Sequence, residues 1–220
     1  MKINKFFLYM VFMSSFFSSA ALGGSNNKKP LWSILICTLE ERAFSFNKLY
    51  KNLQKQIEKK GLQEQIEVLY FLDNREKTVG YKRNWLLANS KGEYVSSIDD
   101  DDEIHDNYIG MIYEKLLEKP DCISLTGIIS YKNEHKRIFI HSLAYTSYYE
   151  KDQVYYRPPN HLNPIKRSIA VQFLFPENNY GEDTSWAMQL AHSGLLKKEI
   201  VIDEPYYFYL CSDNPLSRYF

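Results

Sequence analysis

The sequence predicts a single α/β domain in which a mixed, mostly parallel central sheet is flanked by helices. Three observations carry that expectation. Apolar runs of strand length alternate with stretches whose apolar residues recur every three or four positions. The chain has 220 residues, enough for one domain with a proper core. The strand-like run 94–98 ends abruptly in five adjacent carboxylates, Asp99, Asp100, Asp101, Asp102 and Glu103, and open α/β sheets bind ligands just beyond strand ends of this kind.

The first strand is expected at 32–38, a continuous apolar run suited to a central strand covered on both faces. A helix follows over 42–60, with Phe46, Leu49, Tyr50, Leu53 and Ile57 on one face and Gly61 as its cap. A second buried strand, 66–72, closes a βαβ unit and ends at Asp73. The next helix starts near Gly80 and stops at Gly92, which puts Lys82 and Arg83 in its first turn. The helix dipole disfavours cations there, so either they face an anion such as a phosphate or they point into water.

Beyond the acidic run, 108–117 reads as a helix ended by Pro120, and 121–129 and 137–142 read as strands. Tyrosines crowd 145–156, where strand packing is the simpler reading and stacking on a sugar or base the other. Three prolines make 157–164 a loop, and 165–175 is expected to contain strand. Glu182 and Asp183 open a helix that runs to about 193, where capping alone explains one of the two carboxylates. Strands at 199–202 and 206–210 end the domain.

Residues 1–24 have the layout of a signal peptide or signal anchor: a basic start, an apolar middle and small residues for cleavage. A linker is expected at 25–30, the domain at 31–212 and a tail at 213–220. The leader implies export or membrane anchoring. Three cysteines, two of them in apolar strand runs, and the lack of any N-x-S/T sequon fit a cytoplasmic alternative. The 27 basic and 27 acidic residues cancel, which gives no support to nucleic-acid binding.

Several chemistries are missing their motifs. No glycine-rich dinucleotide turn follows the first strand, and the chain contains no phosphate-binding P-loop, EF-hand loop or G-x-S-x-G elbow. Five crowded carboxylates at a strand end suit a hard divalent cation that shares its shell with phosphate, Mg2+ or Mn2+. A solvated acidic loop is the plainer reading of the same stretch.

Taken in order, the carboxylate after the second strand, Gly80-Tyr81-Lys82-Arg83-Asn84, Ile98-Asp99-Asp100-Asp101-Asp102 and Gly181-Glu182-Asp183 resemble a family 2 type glycosyltransferase. The resemblance covers about 31–210. It implies the GT-A fold, a Rossmann-related domain, and a metal-dependent inverting transfer from a nucleoside-diphosphate sugar, a UDP-sugar, to a hydroxyl of a carbohydrate or other acceptor. By the same resemblance Thr38, Glu40 and Arg42 cradle the base, Asp73 contacts it, and Lys82 and Arg83 lie near the nucleotide. Asp99 and Asp101 form the D-x-D motif with Asp100 as spacer on the donor. Asp102 is a further metal candidate, as is His161 in the proline-rich loop. Asp183, beside Glu182, resembles the catalytic base. A noncatalytic nucleotide- or carbohydrate-binding protein on the same fold and a nucleotidyltransferase are the competing readings.

Overall fold

The structure is a computed structural model that describes residues 29–131 and 134–211. The expected leader, most of the linker and the tail fall outside these residues. Among the described residues no helix is long and apolar enough to cross a membrane.

The chain opens with β1 (Trp32–Leu39), a tight 3-10 turn at Glu40–Arg42, and α1 (Ala43–Lys60). β2 (Ile66–Asp73), α2 (Val79–Asn89), β3 (Tyr94–Ser97), β4 (Glu103–Ile104) and α3 (Tyr108–Leu116) follow. Then come β5 (Cys122–Ile123), β6 (Leu125–Tyr131), β7 (Glu134–His141), β8 (Tyr149–Lys151) and β9 (Val154–Arg157). β10 (Ile165–Lys166), α4 (Arg167–Ala170), α5 (Glu182–Ser193), β11 (Glu199–Ile200) and β12 (Tyr207–Cys211) complete the domain.

These strands form two six-stranded sheets. The first has the order β11-β5-β10-β3-β1-β2, parallel through β3, β1 and β2, with β10 inserted antiparallel. β1 is covered on both faces, as its unbroken apolar run requires. Trp32, Ile34 and Ile36 pack on one side with Leu49, Leu53 and Ile57 of α1 and with Ile109 and Ile112 of α3. Leu35 faces the other side, with Leu86 and Leu87 of α2 and Trp186 and Leu190 of α5. Period-2 alternation in the strand thus meets period-3.6 faces on helices of both layers.

The second sheet, β4-β12-β6-β7-β9-β8, combines antiparallel pairs with the parallel pairs β12–β6 and β7–β9. It was not foreseen as a separate layer. The strand expected over 121–129 breaks at Ser124, whose amide donates to the Ile200 carbonyl at 2.9 Å, and the chain passes there from one sheet to the other. The strand expected in 165–175 is two residues long and gives way at once to α4. Asp152 and Gln153, with φ of 52° and 64°, form a two-residue left-handed turn joining β8 to β9, the hairpin geometry whose twist matches the strands.

Five connections carry the chain between the sheets: residues 98–102, residues 105–121 with α3, Ser124, residues 158–164 and residues 201–206. Two of them hold the acidic run and His161. The candidate site therefore lies where the two layers are joined.

Candidate active site

At the carboxyl ends of the parallel strands, Lys82 reaches Asp73 at 2.5 Å, and both side chains are buried. Its ammonium also donates to the Thr38 carbonyl at 3.3 Å, while the second Asp73 oxygen accepts from the Lys77 amide at 2.8 Å. Arg83, also buried, donates from Nη2 to Asp99 at 3.0 Å and from Nε to Glu182 at 3.1 Å. Of the two expectations for these cations, an anion or water, the structure shows an anion. α2 begins against the strand ends, and carboxylates of the protein itself supply the anions. Burial disfavours the Arg83 charge, but Asp99 and Glu182 outweigh it and hold its pKa above the ordinary value.

The acidic run does not act as one cluster, because successive residues of a turn point in different directions. Asp100 is buried; it accepts from Thr38 Oγ1 at 2.7 Å and from Arg42 at 2.8 Å. The same Arg42 nitrogen stands 3.2 Å from the half-open carboxylate of Asp101. Asp102 accepts from the Tyr207 hydroxyl at 2.7 Å and the Leu210 amide at 3.0 Å, so both its oxygens are taken by the fold. Burial and the nearby Asp99 charge push its carboxyl well above the usual range. Asp100, Asp101 and Asp102 line a groove of about 340 Å³ beside Ser45, Lys48 and Asn52 of α1.

Asp99 turns the other way, into a cavity of about 360 Å³ shared with His141, Arg157, His161, Tyr180 and Asp183. Burial opposes its ionisation, yet Arg83 and His161 hold the carboxyl well below the usual range, so Asp99 carries charge. His161 Nε2 stands 3.7 Å from the second Asp99 oxygen. The ring is buried, and neither nitrogen has a hydrogen-bond partner.

At the start of α5 the Glu-Asp pair is divided. Glu182 is buried against Arg83, while Asp183 opens to the cavity. Glu40 is exposed on the 3-10 turn. The structure thus gathers Asp99, His161 and Asp183 at one cavity and Thr38, Arg42 and Asp100 in one hydrogen-bonded set. Asp102 and Glu182 are committed to internal partners.

Sequence reasoning passed over Tyr207, whose hydroxyl ties down Asp102 and also accepts from the Asp99 amide at 3.2 Å. It passed over His141 and Arg157 as well. No motif marks them; the only signal is a cation closing the tyrosine-rich strand β9. Cys37 lies close to the same ion pairs, and burial pushes its thiol up to about 11, which makes it an inert neighbour.

The two sheets and the helices that cover them form the fold of the GT-A class of glycosyltransferases. The chain belongs to Glycosyl transferase family 2, whose sequence profile matches residues 49–186. Glycosyltransferase GlyA of Streptococcus pneumoniae serotype 4 is 29% identical over 83 residues, which cover 38% of this chain and 12% of that protein. Among solved structures, S. aureus TarS 1-349 superposes with a TM-score of 0.56 at 15% identity, covering 81% of this chain and 60% of that one. The same TarS fragment in complex with UDP-GlcNAc gives a TM-score of 0.56 at 14% identity, covering 83% of this chain and 59% of that one. The chain therefore spans about an eighth of the curated relative it matches and three fifths of the TarS fragment.

Proposed function

We propose that the domain moves a sugar from a nucleoside-diphosphate donor, a UDP-sugar, to an acceptor hydroxyl, with inversion at the anomeric carbon and with the help of a divalent cation. The observation that carries this reading is the cavity shared by Asp99 and Asp183, which come from the end of β3 and the start of α5. One carboxylate is fixed and charged through Arg83, and the other is open to a ligand. TarS has been solved with UDP-GlcNAc and with UDP, which supports a uridine nucleotide here.

Asp183 takes the proton from the acceptor hydroxyl as its oxygen attacks the anomeric carbon. The bond from that carbon to the diphosphate breaks, and its electron pair leaves with the nucleotide. A single base and a single displacement give inversion. Thr38, Arg42 and Asp73 shape the nucleotide end, while Arg83 fixes Asp99.

The donor set fits a hard cation in part. His161 offers an unpartnered buried nitrogen 3.7 Å from a charged carboxylate, and Asp101 is half-open. Among the described residues no three such groups converge on one point. Asp99 and His161, which share the cavity, would hold Mn2+ or Mg2+ together with water and phosphate oxygens, and Asp101, on the groove across the turn, is the remaining candidate. When bound, the cation stabilises charge on the departing diphosphate.

The test combines binding with turnover. UDP with Mn2+ should raise the melting temperature of the purified chain. Asp183→Asn should keep that shift while losing transfer and donor hydrolysis, by about a hundredfold or more. Asp101→Ala should lose the part of the shift that needs metal. If no nucleoside diphosphate shifts melting with or without metal, the donor reading is wrong. If Asp183→Asn turns over at the wild-type rate, Asp183 is not the base. If UDP binds but no UDP-sugar is ever consumed, the noncatalytic alternative holds.

A further inference from the structure

The far wall of the cavity carries a cation that no carboxylate answers. Arg157 ends β9 and His141 ends β7; the two are register partners on neighbouring parallel strands, and both line the cavity. The Arg157 guanidinium lies 5.4 Å from the ring of Tyr148 and 5.7 Å from that of Tyr155. A cation held over ring faces in this way keeps N–H donors that a ligand can take. Among the described residues Arg157 forms no ion pair, whereas Lys82 pairs with Asp73 and Arg83 with Asp99 and Glu182.

His141 adds a second requirement. Its ring is buried, its Nδ1 lies 3.3 Å from Asn163 Oδ1, and its Nε2 has no partner. Asn163 is fixed in orientation, since Nδ2 donates to the Ile123 carbonyl and Oδ1 accepts from the Asn160 amide, each at 2.9 Å. The Asn163 atom facing His141 is therefore an acceptor, so Nδ1 carries the proton. Burial and the Arg157 charge hold the ring pKa well below its ordinary value, so the ring is neutral. Its Nε2 consequently presents a lone pair that calls for a hydroxyl donor.

We propose that the acceptor is a sugar or polyol that bears an oxyanion, a phosphate ester or a carboxylate, gripped by Arg157 while His141 Nε2 accepts from an adjacent hydroxyl. This inference rests on the reading of the cavity as the place of transfer. A neutral acceptor filling about 360 Å³ would strip water from Arg157 and give it no counter-charge. An oxyanion offsets that cost through two parallel charge-assisted hydrogen bonds. Asp183 opens onto the same cavity, so an acceptor anchored on the β7–β9 wall can present a hydroxyl to it.

The experiment titrates glucose, glucose 6-phosphate and glucuronate into the full chain, saturated with UDP and Mn2+, by calorimetry. At least one charged sugar should bind roughly tenfold or more tightly than glucose, the size of effect expected of a charge-assisted pair. Which of the two binds identifies the oxyanion as phosphate or carboxylate. Arg157→Gln should erase the preference and leave the UDP affinity within about twofold. The wild-type comparison alone overturns the proposal if neither charged sugar outbinds glucose. So does a preference that survives in Arg157→Gln, or a parallel loss of UDP affinity, which would assign Arg157 to the donor. If UDP itself does not bind, the donor reading falls, and the same titration without UDP still decides whether the cavity selects an oxyanion.

Discussion

Arg83 is the residue whose role changes most between sequence and structure, and its removal gives the sharpest test. Arg83→Met keeps the length of the side chain and deletes the charge. It leaves Glu182, 6% exposed, with no counter-ion, and strips Asp99, 30% exposed, of its closest one. Breaking a buried pair from one side costs about 3–5 kcal/mol, because the remaining charge stays desolvated. The Glu182 half supplies most of that, since water screens part of the Asp99 half. For a domain of this size the loss corresponds to a fall in melting temperature of roughly 10 °C. Urea denaturation should show a lower midpoint at unchanged slope. Arg83→Met combined with Glu182→Met should recover part of the loss, since replacing both partners by apolar groups avoids the stranded charge. If Arg83 instead gripped the donor phosphate, the single variant would melt close to wild type and bind UDP far more weakly. That result would refute the internal ion-pair assignment.

The remaining predictions concern backbone contact and pH. A Cβ built on Gly80 would meet the Pro176 carbonyl oxygen at 1.8 Å, so Gly80→Ala must push α2 away from the segment that leads to Tyr180 and Asp183. Its cost should be about 1–3 kcal/mol, as for other overpacked sites, and donor turnover should fall with it, read by melting and hydrolysis assays on one preparation. His141 is neutral in the fold, with a pKa held below that of the unfolded chain. The unfolded state therefore binds the extra proton, and stability is complete above the unfolded pKa of about 6.5 and declines as pH falls below it. The slope should approach 1.4 kcal/mol per pH unit between about pH 6.5 and 5, and His141→Gln should flatten it in pH-dependent urea melts. Asp99 has the opposite form: its depressed pKa contributes stability that is present above the unfolded value of about 3.9 and is lost only in stronger acid. Asp99→Asn should therefore flatten acid unfolding below about pH 4 and leave the decline from pH 6.5 to 5 unchanged.

What the sequence made legible follows the range of the forces involved. β1, α1 and β2 were readable because periodic burial is written locally, and Gly61, with φ of 66°, marks the end of α1 in the chain itself. The acidic run was readable because it follows a strand. The division into two sheets was not, since β5, β10 and β11 of the first sheet and β4 of the second are two residues each and exist only through partners far away in sequence. The partners of Lys82 and Arg83 were hidden for the same reason: Glu182 lies 99 positions from Arg83. A string of four aspartates also conceals direction. Asp99 faces one cavity, while Asp100 and Asp102 are absorbed by Thr38, Arg42, Tyr207 and Leu210.

That division has a functional consequence. Residues 98–102 run from β3 of one sheet to β4 of the other, and Tyr207 of the second sheet holds the run through both the Asp99 amide and the Asp102 carboxylate. The placement of Asp99 thus depends on the second sheet, although Asp99 follows a strand of the first. His161 reaches the same cavity from the connection that returns the chain to the first sheet, and Arg157 and His141 reach it from the ends of β9 and β7. The first sheet supplies Asp99, with the charge that Arg83 fixes beside it. The second sheet supplies the wall opposite, and its cation and lone pair set what an acceptor must carry.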